Sequence, residues 1–126
     1  MRLLIDTHVL IWVTTNTNLM STRAAGLLAD VANEIYVSAV SAYEIEFKRP
    51  RDTELQRMPP DLSETVALMG FQWLPVTWEH ASQAARLPLH HRDPWDRILI
   101  AQSIVEGARL VSIDRQFSAY EAPVEW

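Results

Sequence analysis

The chain has 126 residues, 48% of them apolar and 21% charged, the proportions of one folded domain and not of a disordered tail. It contains no cysteine, which excludes a disulfide scaffold, a thiolate zinc site and a thiol nucleophile. Sixteen acids against eleven bases give a net charge of -5, the wrong sign for gripping nucleic acid through bulk charge. The longest apolar run, Val9 to Val13, is far short of the ~18 residues a membrane span needs. The first residues carry one Arg and no apolar signal segment, so a cytoplasmic protein is expected.

Leu3-Leu4-Ile5 is a short apolar run ending at Asp6, the pattern of a strand buried on both faces. Asp6-Thr7 can cap a helix over Val9 to Val13, with Thr14 to Asn18 as the following loop. Ser21 starts a helix predicted to run to about Asn33, and Glu34 to Ser38 is a second strand, rich in branched and aromatic residues. Ser41 and Glu44 have the spacing of a capping box, which predicts a helix opening at Ser41 and stopping at Pro50. Residues 50–60 read as a long loop with at most one helical turn. Leu62 to Met69 is helical in period, Phe71 to Val76 a third strand, and Thr77 the cap of a helix over Glu79 to Arg86. After an irregular Leu87 to Arg92, Asp93-Pro94 opens the clearest helix, closed by Gly107. Its apolar face is expected to carry Ile98, Ala101 and Val105, with Ile100 and Ile104 beside them. Leu110 to Ile113 forms a fourth strand ending at Asp114, and Val124 to Trp126 a short last one. Strands alternating with helices predict a single α/β domain over residues 1–126, a short parallel sheet of four or five strands flanked by helices on both faces.

Four acids fall at equivalent places in this pattern. Asp6 and Asp114 each follow a predicted strand, and Glu44 and Asp96 each lie at about the third position of a helix. Ligands of open parallel sheets bind outside the carboxyl ends of the strands. Each acid alone has a structural explanation. Asp6 can cap a helix, Glu44 can pair with Lys48 or complete the capping box, Asp96 suits a helix N-terminus, and Asp114 suits a turn. Taken together they ask for more, because Ser, Thr or Asn caps equally well and clustered carboxylates repel unless a cation sits among them. Oxygen donors without thiols favour Mg²⁺ or Mn²⁺, which can activate water and stabilise charge on a phosphoryl oxygen.

The segments LLIDTHVLIW, VSAVSAYEIEFK, LPLHHRDPWDRILIAQS and LVSIDRQFSAY, in that order, resemble a PIN domain and, more narrowly, the VapC toxins of bacterial toxin–antitoxin pairs. The resemblance runs from Met1 to Trp126 and is most specific in the His-Arg-Asp-Pro-aromatic-Asp-Arg block. It implies a PIN-like fold and a Mg²⁺- or Mn²⁺-dependent endoribonuclease leaving 5′-phosphate and 3′-hydroxyl ends, usually a homodimer, neutralised by a small VapB-type antitoxin. The family's acids fall on Asp6, Glu44, Asp96 and Asp114, the expected metal-binding and catalytic residues. Ser112 stands where the family usually has Thr, and Trp95 where Phe is common. Asp6 and Asp96 are expected to hold the ion, Glu44 to complete the shell or accept a proton, and Asp114 to orient a water or hold a second ion. Asp93, Ser41 and Ser112 take accessory roles, since capping already accounts for Asp93 and neither serine has a visible activating partner.

Arg92, Arg97 and Arg115 flank the acids and are the expected phosphate contacts. Adjacent His90 and His91 do not share a face, so loop packing or substrate contact is expected of them before metal ligation. The basic run Lys48-Arg49-Pro50-Arg51 with Arg57 reads equally as a solvated helix end or an RNA-guiding edge. A phospho-acceptor domain would need a Lys after its last strand, but the only Lys is Lys48. A dehalogenase-like phosphatase would need a second Asp two residues after Asp6, where His8 stands. A noncatalytic module of the same fold would be expected to have lost some of the four acids. Setting those four aside leaves twelve acids against eleven bases, so most of the net charge belongs to the expected site.

Overall fold

Leu3, Leu4 and Ile5 are fully buried, as a central strand covered on both faces requires. In the computed structural model, which describes residues 1–126, they belong to β1 (Arg2–Ile5). The chain continues through α1 (Thr7–Thr15), α2 (Thr22–Ala29), β2 (Glu34–Ser38), α3 (Ala39–Lys48), α4 (Leu62–Leu68) and β3 (Gln72–Leu74). It ends with α5 (Trp78–Arg86), α6 (Pro94–Glu106), β4 (Arg109–Val111) and β5 (Val124–Glu125). The strands form one wholly parallel sheet in the order β3-β2-β1-β4-β5. Strand order therefore reverses between β1 and β4, and the crevice beyond their carboxyl ends is where such a sheet binds ligands.

Period-two alternation divides the core. Leu3 and Ile5 face one layer with Val9, Leu10, Ile35, Val37 and Val66. Leu4 faces the other, with Leu99, Ile100, Leu110 and Phe117. Each of these side chains contributes about 1.5–3 kcal/mol by leaving water. No helix is long and apolar enough to cross a membrane.

Several boundaries differ from the sequence reading for local reasons. The first helix runs on to Thr15, because Thr14 and Thr15 hydroxyls donate back to carbonyls of the preceding turn. Helix α2 stops at Ala29 instead of Asn33: Asp30 accepts from Ala32 N–H, and the Asn33 amide donates to the Leu27 carbonyl. The expected Ser41 capping box does not form. Strand β2 passes directly into α3, Ser38 caps it by accepting from Val40 N–H, and Ser41 and Glu44 lie inside the helix. Helix α6 begins and ends as expected, with Asp93 as cap, Pro94 at its first position and Gly107 at φ 64°, where a side chain would be strained. Its buried face is instead Arg97, Leu99, Ile100, Ala101, Gln102 and Ser103, and Val105 is exposed. Strand β4 ends at Val111, so Asp114 starts a 3₁₀ turn over Arg115–Ala119 and does not directly follow the strand.

Candidate active site

A cavity of about 430 Å³ opens at the crevice between β1 and β4. Asp6, Glu44, Asp96 and Asp114 all line it, with Asp93, Thr7, His8, Trp12, Lys48, Ile113 and Phe117. Four elements deliver the four acids, each for its own local reason.

Asp6 ends β1 and caps α1: its Oδ1 accepts from Val9 N–H at 2.9 Å. Its Oδ2 accepts from the Ser112 hydroxyl, which in turn accepts from Asp114 N–H at 3.0 Å. Ser112 thus couples the first and last acids through one buried oxygen. Ser41 does not reach the cavity; it is buried, and its oxygen accepts from the Thr7 hydroxyl at 2.9 Å, fastening α1 to α3. Glu44 sits one turn deeper in α3 than expected, and its Oε2 accepts from Lys48 Nζ at 2.7 Å. Lys48 also lies over the Trp95 ring, 5.0 Å from its centroid. Asp93 caps α6, its Oδ1 accepting from Trp95 and Asp96 N–H, which sets Asp96 on the first turn.

Burial pushes the Asp96 carboxyl up to about 7, and the charges of Asp93, Asp6 and Glu44 push the same way while His91 opposes them. Burial also raises Asp6, against the Ser112 and Val9 hydrogen bonds that favour its charged form. The carboxylates are crowded in a way that an added cation relieves. A donor set made of carboxylate oxygens suits a hard divalent ion.

The expected arginines are not in this cavity. Arg97 is buried, and its guanidinium donates to the carbonyls of Ala84, Leu87, Pro88 and His91, so it cannot reach a phosphate. Arg92 is exposed on a separate groove with Ala81, Leu89 and Ile98, and Arg115 is exposed on its turn. The cation that does line the cavity is Lys48, which the i,i+4 spacing to Glu44 signals in the sequence.

His91, of which the sequence suggested loop packing or substrate contact, lies against the acids. Its Nε2 lies 3.1 Å from Asp96 Oδ2 and 3.3 Å from Asp114 Oδ2. His90 instead packs edge-on against Tyr120, outside the site. Two adjacent histidines indeed part company, but in an irregular loop that argument cannot say which one points inward.

Comparison with known proteins gives the family and the fold. The PIN domain family matches residues 3–123. Ribonuclease VapC22 of Mycobacterium tuberculosis is 29% identical over 126 aligned residues, covering 95% of this chain and 92% of that protein. Among solved structures, VapBC2 from Rickettsia felis, bound to a DNA fragment from its promoter, superposes with a TM-score of 0.75. It is 14% identical, covering 100% of this chain and 99% of that one. VapBC-5 from Mycobacterium tuberculosis, a toxin–antitoxin system, gives 0.63 at 21% identity, covering 98% and 95%. At these identities the structural matches establish the shared fold.

Proposed function

Because the chain belongs to the PIN domain family, we propose that it is a divalent-metal-dependent endoribonuclease, the toxin of a toxin–antitoxin pair. The observation that carries this is the convergence of Asp6, Glu44, Asp96 and Asp114 on one cavity, with Asp96 pushed up to about 7. Its likeness to a protein named ribonuclease VapC22 supports RNA as substrate, over the phospho-acceptor and phosphatase alternatives. Likeness to VapBC complexes supports a VapB-type antitoxin partner. We read residues 1–126 as one PIN-like domain, active in the cytoplasm as a homodimer.

Asp6 and Asp96 would hold the ion, Mg²⁺ or Mn²⁺, with Asp114 beside them. When bound, such an ion neutralises charge on the scissile phosphate and lowers the pKa of water. Glu44 accepts the proton of the attacking water at Oε1, the oxygen that Lys48 leaves free. Lys48, at the rim, offers its ammonium to a substrate phosphate. Asp93 sets the pitch of the turn that presents Asp96. Neither serine acts as a nucleophile, since Ser41 is buried against Thr7 and Ser112 spends its proton on Asp6.

The test is cleavage of RNA in Mg²⁺ by Asp6→Asn and Asp96→Asn proteins, shown to be folded by circular dichroism. Losing about 4 kcal/mol of charge stabilisation predicts rates down by roughly 10³-fold. Cleavage at the wild-type rate by both variants would sink the proposal.

A further inference from the structure

We propose that His91 is a positioning residue of this site: its Nε2–H, hydrogen-bonded to Asp114 and 3.1 Å from Asp96, holds the two carboxylates at cation-binding separation. The inference rests on the nuclease reading above and adds to it a residue outside the four acids.

Hydrogen bonding fixes the ring's role. Nδ1 of His91 accepts from Asp93 N–H at 3.3 Å, so the neutral imidazole carries its proton on Nε2. That nitrogen is therefore a donor, hydrogen-bonded to Asp114 Oδ2 at 3.3 Å with Asp96 Oδ2 3.1 Å away, and it has no lone pair to offer a metal. The His91 nitrogen and one oxygen of each carboxylate lie within 4.8 Å of one another.

The loop around His91 is irregular, yet the residue is held from several sides. Its N–H donates to the Tyr120 hydroxyl at 2.7 Å, and that hydroxyl donates to the Pro88 carbonyl at 2.8 Å. Its carbonyl accepts from buried Arg97 at 3.1 Å, and its ring packs 5.6 Å from Phe117. The side chain is only 11% exposed. Asp96 and Asp114 come from different elements, the first turn of α6 and the turn after β4, and their charges push them apart. A fixed donor between them keeps the gap narrow. Arg97, which the sequence suggested as a phosphate contact, acts here by anchoring the loop that carries His91.

Calorimetric titration of the full chain with MnCl₂, alongside RNA cleavage kinetics, tests this. His91→Ala is expected to weaken Mn²⁺ binding by about tenfold or more, the usual effect of removing a hydrogen-bonding partner of a ligand. Its kcat should fall while KM for RNA stays within about twofold, because no RNA contact is lost. His91→Gln keeps an N–H donor in reach without any charge, and is expected to recover most of the Mn²⁺ affinity. Melting curves of both variants separate this from misfolding. Undiminished Mn²⁺ binding by His91→Ala, or a Gln variant no better than Ala, overturns the positioning role and leaves the nuclease reading standing. Absence of Mn²⁺ binding by the wild-type protein overturns both.

Discussion

Glu125 and Asp96 are both shielded carboxylates on the same small sheet domain, and they are pushed in opposite directions. The Glu125 side chain is 8% exposed and is met by Arg23 at 2.5 Å and Arg109 at 2.6 Å. The Arg23 hydrogen bond, then that of Arg109, holds its carboxyl below the usual range against the effect of burial. Asp6 is as well buried and Asp96 is partly buried, neither meets an arginine, and burial raises both. The fold thus supplies a cation where a carboxylate ties strands to helices, and gives the cavity a single lysine, Lys48, which pairs with Glu44 and leaves Asp6 and Asp96 without one. An acid group left without a cationic partner marks the site better than acidity itself does.

The two regions should also respond oppositely to pH. Glu125, with its folded value depressed, stabilises the fold above the usual carboxylate range and loses that contribution as pH falls through its lowered value. Asp6 and Asp96, with folded values raised, favour the protonated fold. In metal-free protein the effect of Asp96 on stability worsens as pH climbs from the ordinary 3.8 toward about 7, and Asp6 acts in the same direction.

The largest expected contrast is in metal binding. Mn²⁺ affinity should drop about tenfold or more per pH unit below 7, since Asp96 must release its proton, and level off above. A pH-independent affinity between 5 and 8 would remove the basis for calling the two regions different. Next in size is Glu125→Gln. It should destabilise the protein by about 1–2 kcal/mol in urea unfolding at pH 7, a figure kept low because Arg23 and Arg109 remain half-exposed to water. An unchanged midpoint would show that the pair contributes nothing. The smallest effect sharpens the comparison most. Asp96→Asn should raise the melting temperature of metal-free protein at pH 8 by a few degrees, the reverse of Glu125→Gln, and abolish the stabilisation that Mn²⁺ gives wild type. A fall in melting temperature would mean that Asp96 is a structural acid.

Much of this was legible in the chain. Helix α6 announces itself through Asp93, Pro94 and Gly107, because each of those residues answers a local backbone requirement. The four acids could be grouped because parallel topology brings strand ends together whatever the loop lengths. Misreadings came where a long-range partner overrode a local pattern. Ser41 matched a capping box, but Ser38 took that place because β2 runs into α3 without a loop. Arg97 looked like a surface cation until four backbone carbonyls of the 84–91 region enclosed it.

By itself, the sequence determined the strand–helix alternation, the layers on both faces of the sheet and the four carboxylates, since these follow from periodicity and residue type. Tertiary structure alone decided which charges meet. It put Lys48 and His91 among the acids, and turned Arg92, Arg97 and Arg115 away from them. It also joined Arg23 and Arg109 to Glu125 across gaps of 102 and 16 residues. Electrostatic energy depends on distances of a few ångströms and on exclusion of water, and neither is written in residue order.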